Sequence, residues 1–229
     1  MLKFKTVNII FFLLAVLAVT GIAKGLLPIY SILIVGGIWL LLTMIGATNV
    51  RMNYFYKAWH VKENSNRQIA ITFDDRVDEN PSIANKIIED GHTIANHTYS
   101  HAKNIGFFST KTMVREIESC NHAISAAAGK TPVFFRSPFG ISNPKIKRAL
   151  IKTEMQPIGW SLRSFDALFK SKELIYKNII RQVKTGDVVL LHDDRELTQE
   201  VLERLLLFLK EKKYNLVTID QLFKSHAYR

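Results

Sequence analysis

Two long apolar stretches fill the first fifty residues, a segment that holds three lysines, Lys3, Lys5 and Lys24, and no carboxylate; the first acidic side chain is Glu63. The first stretch covers 6–23 and the second 26–48, separated by Lys24-Gly25. At about 1.5 Å per residue each reaches roughly the 30 Å of a bilayer's hydrocarbon core. The segment is therefore expected as a transmembrane hairpin over 1–50, with a juxtamembrane linker over 51–65 and a folded domain over 66–229. A secretory signal is the competing interpretation, since Lys3 and Lys5 precede the first stretch and Gly21-Ile22-Ala23 is a passable cleavage site. The hairpin is preferred because a second span follows at once.

A hairpin puts both of its ends on one side of the membrane. Lys3, Lys5, Arg51, Lys57, Lys62 and Arg67 outnumber Lys24, so loop charge favours a cytosolic domain, whereas the chemistry below favours an extracytoplasmic one. Tyr54, Phe55, Tyr56 and Trp59 are expected either as an interfacial aromatic belt or as packing on the domain. Removing the three N-terminal lysines from the 31 basic residues leaves 28 against 20 acidic, about +8, an ordinary balance for a globular domain. No RNP-type aromatic motif or zinc-finger spacing accompanies the charge, so nucleic acid is not an expected partner; anionic lipid is. Cys120 is the only cysteine, which excludes an intrachain disulfide and suits a small buried filler. Nothing in the sequence specifies an oligomeric state.

Beyond residue 66 short apolar runs alternate with helical patterns, the signature of βα units around a mainly parallel sheet. Strands are expected at 69–73, 92–95, 133–135, 155–161, 187–191 and 215–219, and the longest helices at 110–128 and 198–212. Pro81 and Pro144 suit first helical positions, and Gly91, Gly129 and Gly186 suit C-terminal stops. Polar residues gather where strands end, which is where parallel α/β architectures assemble active sites.

Asp74 and Asp75 leave an apolar strand in opposite directions, so one can serve a metal and the other a water. His97 and His101, at i and i+4, lie on one face of a helical turn and can converge on a borderline-soft cation such as zinc. Arg136 leaves a strand beside a rigid Ser137-Pro138-Phe139-Gly140 turn and can hold a carboxylate ionised. Asp166 and His192 can pair, fixing the imidazole's tautomer and raising its basicity, which suits a general acid.

The ordered series Thr72-Phe73-Asp74-Asp75, Asn96-His97-Thr98-Tyr99-Ser100-His101, Arg136-Ser137-Pro138-Phe139-Gly140, Ser164-Phe165-Asp166 and Leu190-Leu191-His192 resembles the five motifs of the polysaccharide deacetylases, the NodB-like carbohydrate esterases. The resemblance implies an α/β fold, a distorted (β/α) barrel, here behind two transmembrane helices. It implies hydrolysis of N-acetyl groups on N-acetylglucosamine-type residues of peptidoglycan or a chitin-like polysaccharide, with one divalent metal ion, Zn2+, held by Asp75, His97 and His101. It further implies Asp74 as general base paired with Arg136, the Phe139 N–H at the oxyanion, His192 as general acid tuned by Asp166, and Leu190 and Trp160 around the acetyl group.

Two departures from the family pattern stand out. Arg76 occupies the usual glycine position after the Asp pair, and only 16 positions separate Asp75 from Gly91. A helix and a strand of the family are therefore expected to be missing, leaving a gap in the barrel unless 69–73 pairs directly with 92–95 and the sheet closes or opens differently. A catalytically impaired metal- or glycan-binding membrane protein is the alternative function, and a metal-dependent hydrolase of another acyl or phosphate substrate a third.

Overall fold

The computed structural model describes residues 3–74, 81–192 and 196–229. Helices α1 (Phe4–Ala23) and α2 (Ser31–Thr48) form an antiparallel hairpin, both long and apolar enough to cross a membrane. The connection differs from expectation, because α2 starts at Ser31 rather than Leu26. Gly25 adopts φ +66° and closes a Schellman motif: its N–H donates to Ile22 O, while the Leu26 N–H donates to Gly21 O. Between the helices, Trp39 Nε1–H donates to Asn8 Oδ1 at 2.9 Å. The Phe4 N–H donates to Tyr54 O at 3.0 Å, so the start of α1 and the chain leaving α2 meet at one end.

The domain is built from parallel strands β1 (Gln68–Asp74), β2 (Phe134–Phe135), β3 (Gln156–Pro157), β4 (Leu162–Arg163), β5 (Val188–His192) and β6 (Asn215–Leu216). One sheet runs β4-β5-β1-β6, and β2 pairs with β3. The chain from β3 to β4 stitches the two together, since the Ile158 N–H donates to Phe135 O and the Ser161 N–H to Val188 O. The result is an open barrel. Ala70 and Val188 point inward with Phe134 and Ile158. Ile69, Val189 and Leu191 point outward, against α6 (Lys172–Gln182) and α7 (Glu196–Glu211).

On the other flank α4 (Thr110–Ala128) and α5 (Pro144–Lys152) bury Met113, Ile117, Ile146 and Leu150. The caps of these helices are as the sequence dictates. Ser109 Oγ accepts from the Thr112 N–H, Gly129 ends α4 at φ +63°, and Asn143 Oδ1 accepts two N–H groups ahead of Pro144. Pro81 opens α3 (Pro81–Glu89), and Cys120 is buried among Ala84, Ile94 and Ile124.

Several expectations are corrected. Segment 92–95 is not a strand and does not pair with β1. One flank of β1 is taken by β5, and the other is paired at Gln68 and Ile69 by β6. Asn96 alone bridges to Phe135. The opposite side of the segment is satisfied by the C-terminal region: Thr93 Oγ1 donates to Asp220 Oδ1, and the Ile94 N–H donates to Tyr228 Oη. Ala227 O also accepts from the Val133 N–H, so α8 (Ile219–Phe223) and the residues after it lie against both 93–94 and the start of β2.

The expected strand 155–161 shrinks to β3, with β4 beginning only after it, and 215–219 shrinks to two residues because Ile219 opens α8. Gly186 ends no helix; α6 stops at Gln182, capped by Val183. The expected linker 51–65 is laid against the barrel, bridged from Trp59 to Ile158 and from Val61 to Asp187. The aromatic cluster divides. Tyr54 and Phe55 pack on Phe4 and Val7 of the hairpin, whereas Trp59 stacks on Phe223 inside the domain.

Candidate active site

Alternation along a strand decides what faces the barrel interior. On β1 the inward set is Ala70, Thr72 and Asp74, and on β5 it is Val188, Leu190 and His192. Asp74 and His192 are register partners in adjacent strands, so the two side chains emerge together at the C-terminal edge. Arg136, just after β2, is almost fully buried and reaches across: Nη1–H donates to Asp74 Oδ1 at 2.7 Å, and Nη2–H to Thr72 Oγ1 at 2.9 Å and to Gly159 O at 3.2 Å. Thr72 Oγ1 donates in turn to Val189 O at 2.8 Å. Burial on its own pushes the Asp74 carboxyl upward, but the charges of Arg136, His97 and His192 outweigh it and hold the group below the usual carboxylate range.

His97 and His101 come together with ring centroids 5.0 Å apart, but on a loop rather than the expected helical turn. Two left-handed residues bend that loop, Thr98 at φ +68° and His101 at φ +46°, and the first is β-branched, which is a strained place for it. The loop is tied from both sides. Buried Asn96 accepts from the Thr98 N–H and donates to Ile117 O and Asn121 Oδ1. Glu116 Oε2 accepts from both the N–H and the hydroxyl of Ser100.

His97 Nδ1 lies 2.9 Å from Arg136 O, and a carbonyl can only accept, so Nδ1 carries the hydrogen. Nε2 lies 3.7 Å from Asp74 Oδ2. That arrangement, a ring fixed by a backbone acceptor behind it, suits a metal-ligating imidazole. Among the described residues no three such side chains form a complete cation cage. Asp75, the expected third ligand, lies outside them, as does Arg76.

Asp166 is completely buried and saturated. Its Oδ1 accepts from Ser164 Oγ at 2.7 Å, His192 Nδ1 at 2.8 Å and the Ala167 N–H at 3.0 Å. Its Oδ2 accepts from the His192 N–H at 2.7 Å and Thr198 Oγ1 at 3.2 Å. Burial opposes ionisation here too, but the bonds from His192 and Ser164 prevail and bring the carboxyl down to about 2. The imidazole is fixed with Nδ1 protonated and Nε2 directed away from the pair.

The turn Pro138–Gly140 carries Phe139 in a left-handed conformation at φ +58° with its ring 5.0 Å from that of His101. Trp160 borders the same space, its ring 5.9 Å from the Arg136 guanidinium carbon. Gly140, at φ +68°, leaves room for that indole: a Cβ there would lie 2.6 Å from Trp160 Cη2. Gly140→Ala is therefore expected to destabilise the domain by about 1–3 kcal/mol, through both the backbone and the clash, as a lowered urea midpoint will register. Leu190 is buried beneath, level with Thr72.

The structure thus brings Asp74, His97, His101, Arg136, Phe139 and Trp160 around one mouth, with His192 and Asp166 beside Asp74. Thr72, Asn96, Ser164 and Thr198 hold these groups in place and were not singled out from the sequence. Only Thr72, Asn96 and Ser164 lay within motifs that drew attention.

A family model described as polysaccharide deacetylase matches residues 72–158, the stretch that carries Asp74, both histidines and Arg136. Peptidoglycan-N-acetylglucosamine deacetylase of Bacillus cereus is 27% identical over 207 residues, covering 74% of this chain and 93% of its own length. Residues 72–158 thus carry the polysaccharide deacetylase pattern, and the resemblance to curated deacetylases extends over about three quarters of the chain. Peptidoglycan-N-acetylglucosamine deacetylase PgdA of Listeria monocytogenes is 25% identical over 190 residues, a match that covers 71% of this chain but only 40% of the relative. The fold is likewise that of solved deacetylases. The Bc1960 peptidoglycan N-acetylglucosamine deacetylase superposes with a TM-score of 0.68 at 23% identity, covering 74% of this chain and 94% of that one. A CE4 family pseudoenzyme from Bacillus anthracis shares the fold as well, with a TM-score of 0.61 at 24% identity over 67% of this chain and 55% of that one. Fold alone therefore does not carry activity; the side chains must.

Proposed function

We propose that this chain is a membrane-anchored, zinc-dependent hydrolase of the polysaccharide deacetylase family that removes N-acetyl groups from N-acetylglucosamine-type residues of a cell-envelope polysaccharide. The observation that carries it is the pairing of two carboxylates with opposite partners at one strand edge: Asp74 on Arg136, and Asp166 on His192. One pair keeps a base ionised and the other keeps an imidazole oriented, which is the division of labour amide hydrolysis needs.

The donors fit a zinc ion: His97 and His101 stand side by side beside a carboxylate, with Nδ1 of His97 held by Arg136 O and Nε2 turned toward Asp74. Together with Asp75 they are the residues that would hold it, and the ion would supply Lewis acidity at the acetamide carbonyl and acidify a water. Asp74 accepts that water's proton at the oxygen not engaged by Arg136. The Phe139 N–H faces the developing oxyanion. His192 Nε2 delivers a proton to the departing nitrogen, required because an amide anion is too poor a leaving group at neutral pH. Leu190 and Trp160 enclose the acetyl methyl. Acetate and a free amine result. The hairpin α1–α2 is the anchor, its outer faces apolar along their length.

The full chain in lipid nanodiscs with zinc is expected to release acetate from N-acetylglucosamine oligomers or peptidoglycan fragments, and to lose that activity on chelation and regain it with zinc or cobalt. Stoichiometric zinc and oligosaccharide binding without acetate would instead select the silent binding protein.

A further inference from the structure

The last four carbonyls of a helix have no partner within it. In α2 two of them, on Gly46 and Ala47, are taken by one residue of the domain: Ser142 Oγ–H donates to Gly46 O at 3.1 Å, and the Ser142 N–H to Ala47 O at 2.7 Å. Ser142 lies two residues beyond the Pro138–Gly140 turn. The opposite wall of the mouth is fastened to the same helix end. Arg51 Nη1–H donates to Ser161 O at 3.3 Å, and a Cβ on Gly159 would lie 3.0 Å from both methyls of Val50. Both loops that border the site, one bearing Phe139 and the other Trp160, are thus bolted to the point where α2 ends.

This fixes how far the site stands from the bilayer. Phe139 is three residues from Ser142, and three residues span at most about 10 Å. The polar layer on each side of a hydrocarbon core is about 5–8 Å deep. Phe139, 52% exposed, and Phe107, 84% exposed, are the large apolar side chains on this rim. Phe107 belongs to it because the preceding residue's carbonyl accepts from Asn143 Nδ2, next to Ser142. Exposed aromatics at the depth of the headgroups are at home there and out of place in water.

We infer that the glycan is deacetylated while attached to a lipid of the same membrane, because the mouth opens at the headgroup layer and is held there by two ties. The inference rests on the proposed deacetylase activity and on the hairpin as its anchor. A glycan standing tens of ångströms off the bilayer is beyond its reach, whereas a sugar carried on a lipid is delivered at the right height and at high local concentration.

Two measurements on the full chain in phosphatidylglycerol–phosphatidylcholine vesicles test it. In the first, an N-acetylglucosamine oligomer is supplied either free or joined by its reducing end to a dialkyl lipid in the same vesicles, at equal bulk concentration. Acetate release from the lipid-linked form is expected to be at least about tenfold faster, and equal rates overturn the inference while leaving the activity standing. In the second, a nitroxide on Phe107→Cys, in a Cys120→Ala background, is expected to read headgroup depth by its collisions with oxygen and a water-soluble nickel chelate. A label fully exposed to bulk water overturns the placement whatever the rates. No acetate from either oligomer, with the label at headgroup depth, would count against the deacetylase reading itself and take the substrate inference with it.

Discussion

Asp74→Asn is expected to lower acetate release about a thousandfold while leaving the barrel folded, within the range that removal of a general base produces. A thousandfold loss corresponds to about 4 kcal/mol of barrier. The amide oxygen can still accept from Arg136 Nη1, so the hydrogen bond at 2.7 Å survives in form, but an amide cannot take up the water's proton. Alanine is the poorer test. It would leave the buried Arg136 guanidinium with no counter-charge, a change that costs about 3–5 kcal/mol for a buried pair, and loss of activity could then follow from loss of structure. Parallel thermal melts of the wild-type chain and the Asn variant separate the two. An Asn variant that folds and turns over at the wild-type rate excludes Asp74 as the base. Because Arg136 and His97 hold the Asp74 carboxyl down against the effect of burial, the base stays charged below the pH at which a free aspartate would protonate.

Much of this site was legible before the structure, and what was not has a physical reason in each case. The start of α5 at Pro144 and the left-handed stop of α4 at Gly129 follow from local chemistry, so they needed no tertiary information. The order of the motifs likewise placed Asp74, Arg136 and His192 at strand ends. The spacing of His97 and His101 correctly implied convergence but for the wrong backbone, since a loop with Thr98 and His101 both at positive φ also brings i and i+4 together. The short strands were overdrawn because strand length depends on which neighbour is available for pairing, and that is a property of the barrel rather than of 92–95 or 155–161. The bond from Ser142 to the end of α2 could not be anticipated at all. It joins positions 95 and 96 residues apart through a hydroxyl and an N–H that no local pattern distinguishes from any other serine.

The second large effect is expected at Asp166, where Asp166→Asn should cost both activity and acid-dependent stability. The carboxylate acts as acceptor throughout, in three hydrogen bonds at Oδ1 and two at Oδ2. An asparagine must turn an NH2 toward one of those sets, so whichever way it sits, donors oppose donors. If the NH2 faces His192 Nδ1, the imidazole reverses its tautomer and the imidazolium loses its counter-charge; acetate release should fall about 10²–10³-fold. The unfolded carboxyl titrates near its ordinary value of 3.8 and the folded one at about 2. On acidification the unfolded chain therefore takes the proton first, and protons favour unfolding. The wild-type chain should carry about 2 kcal/mol from this group above pH 4 and lose it progressively between about pH 4 and 2. Urea unfolding across that window should show the slope in the wild-type chain and a shallower one in Asp166→Asn, the remainder belonging to carboxylates such as Asp74. Equal slopes in the two proteins would show that Asp166 is not held ionised by His192 and Ser164, and would remove the basis for its role in orienting the general acid.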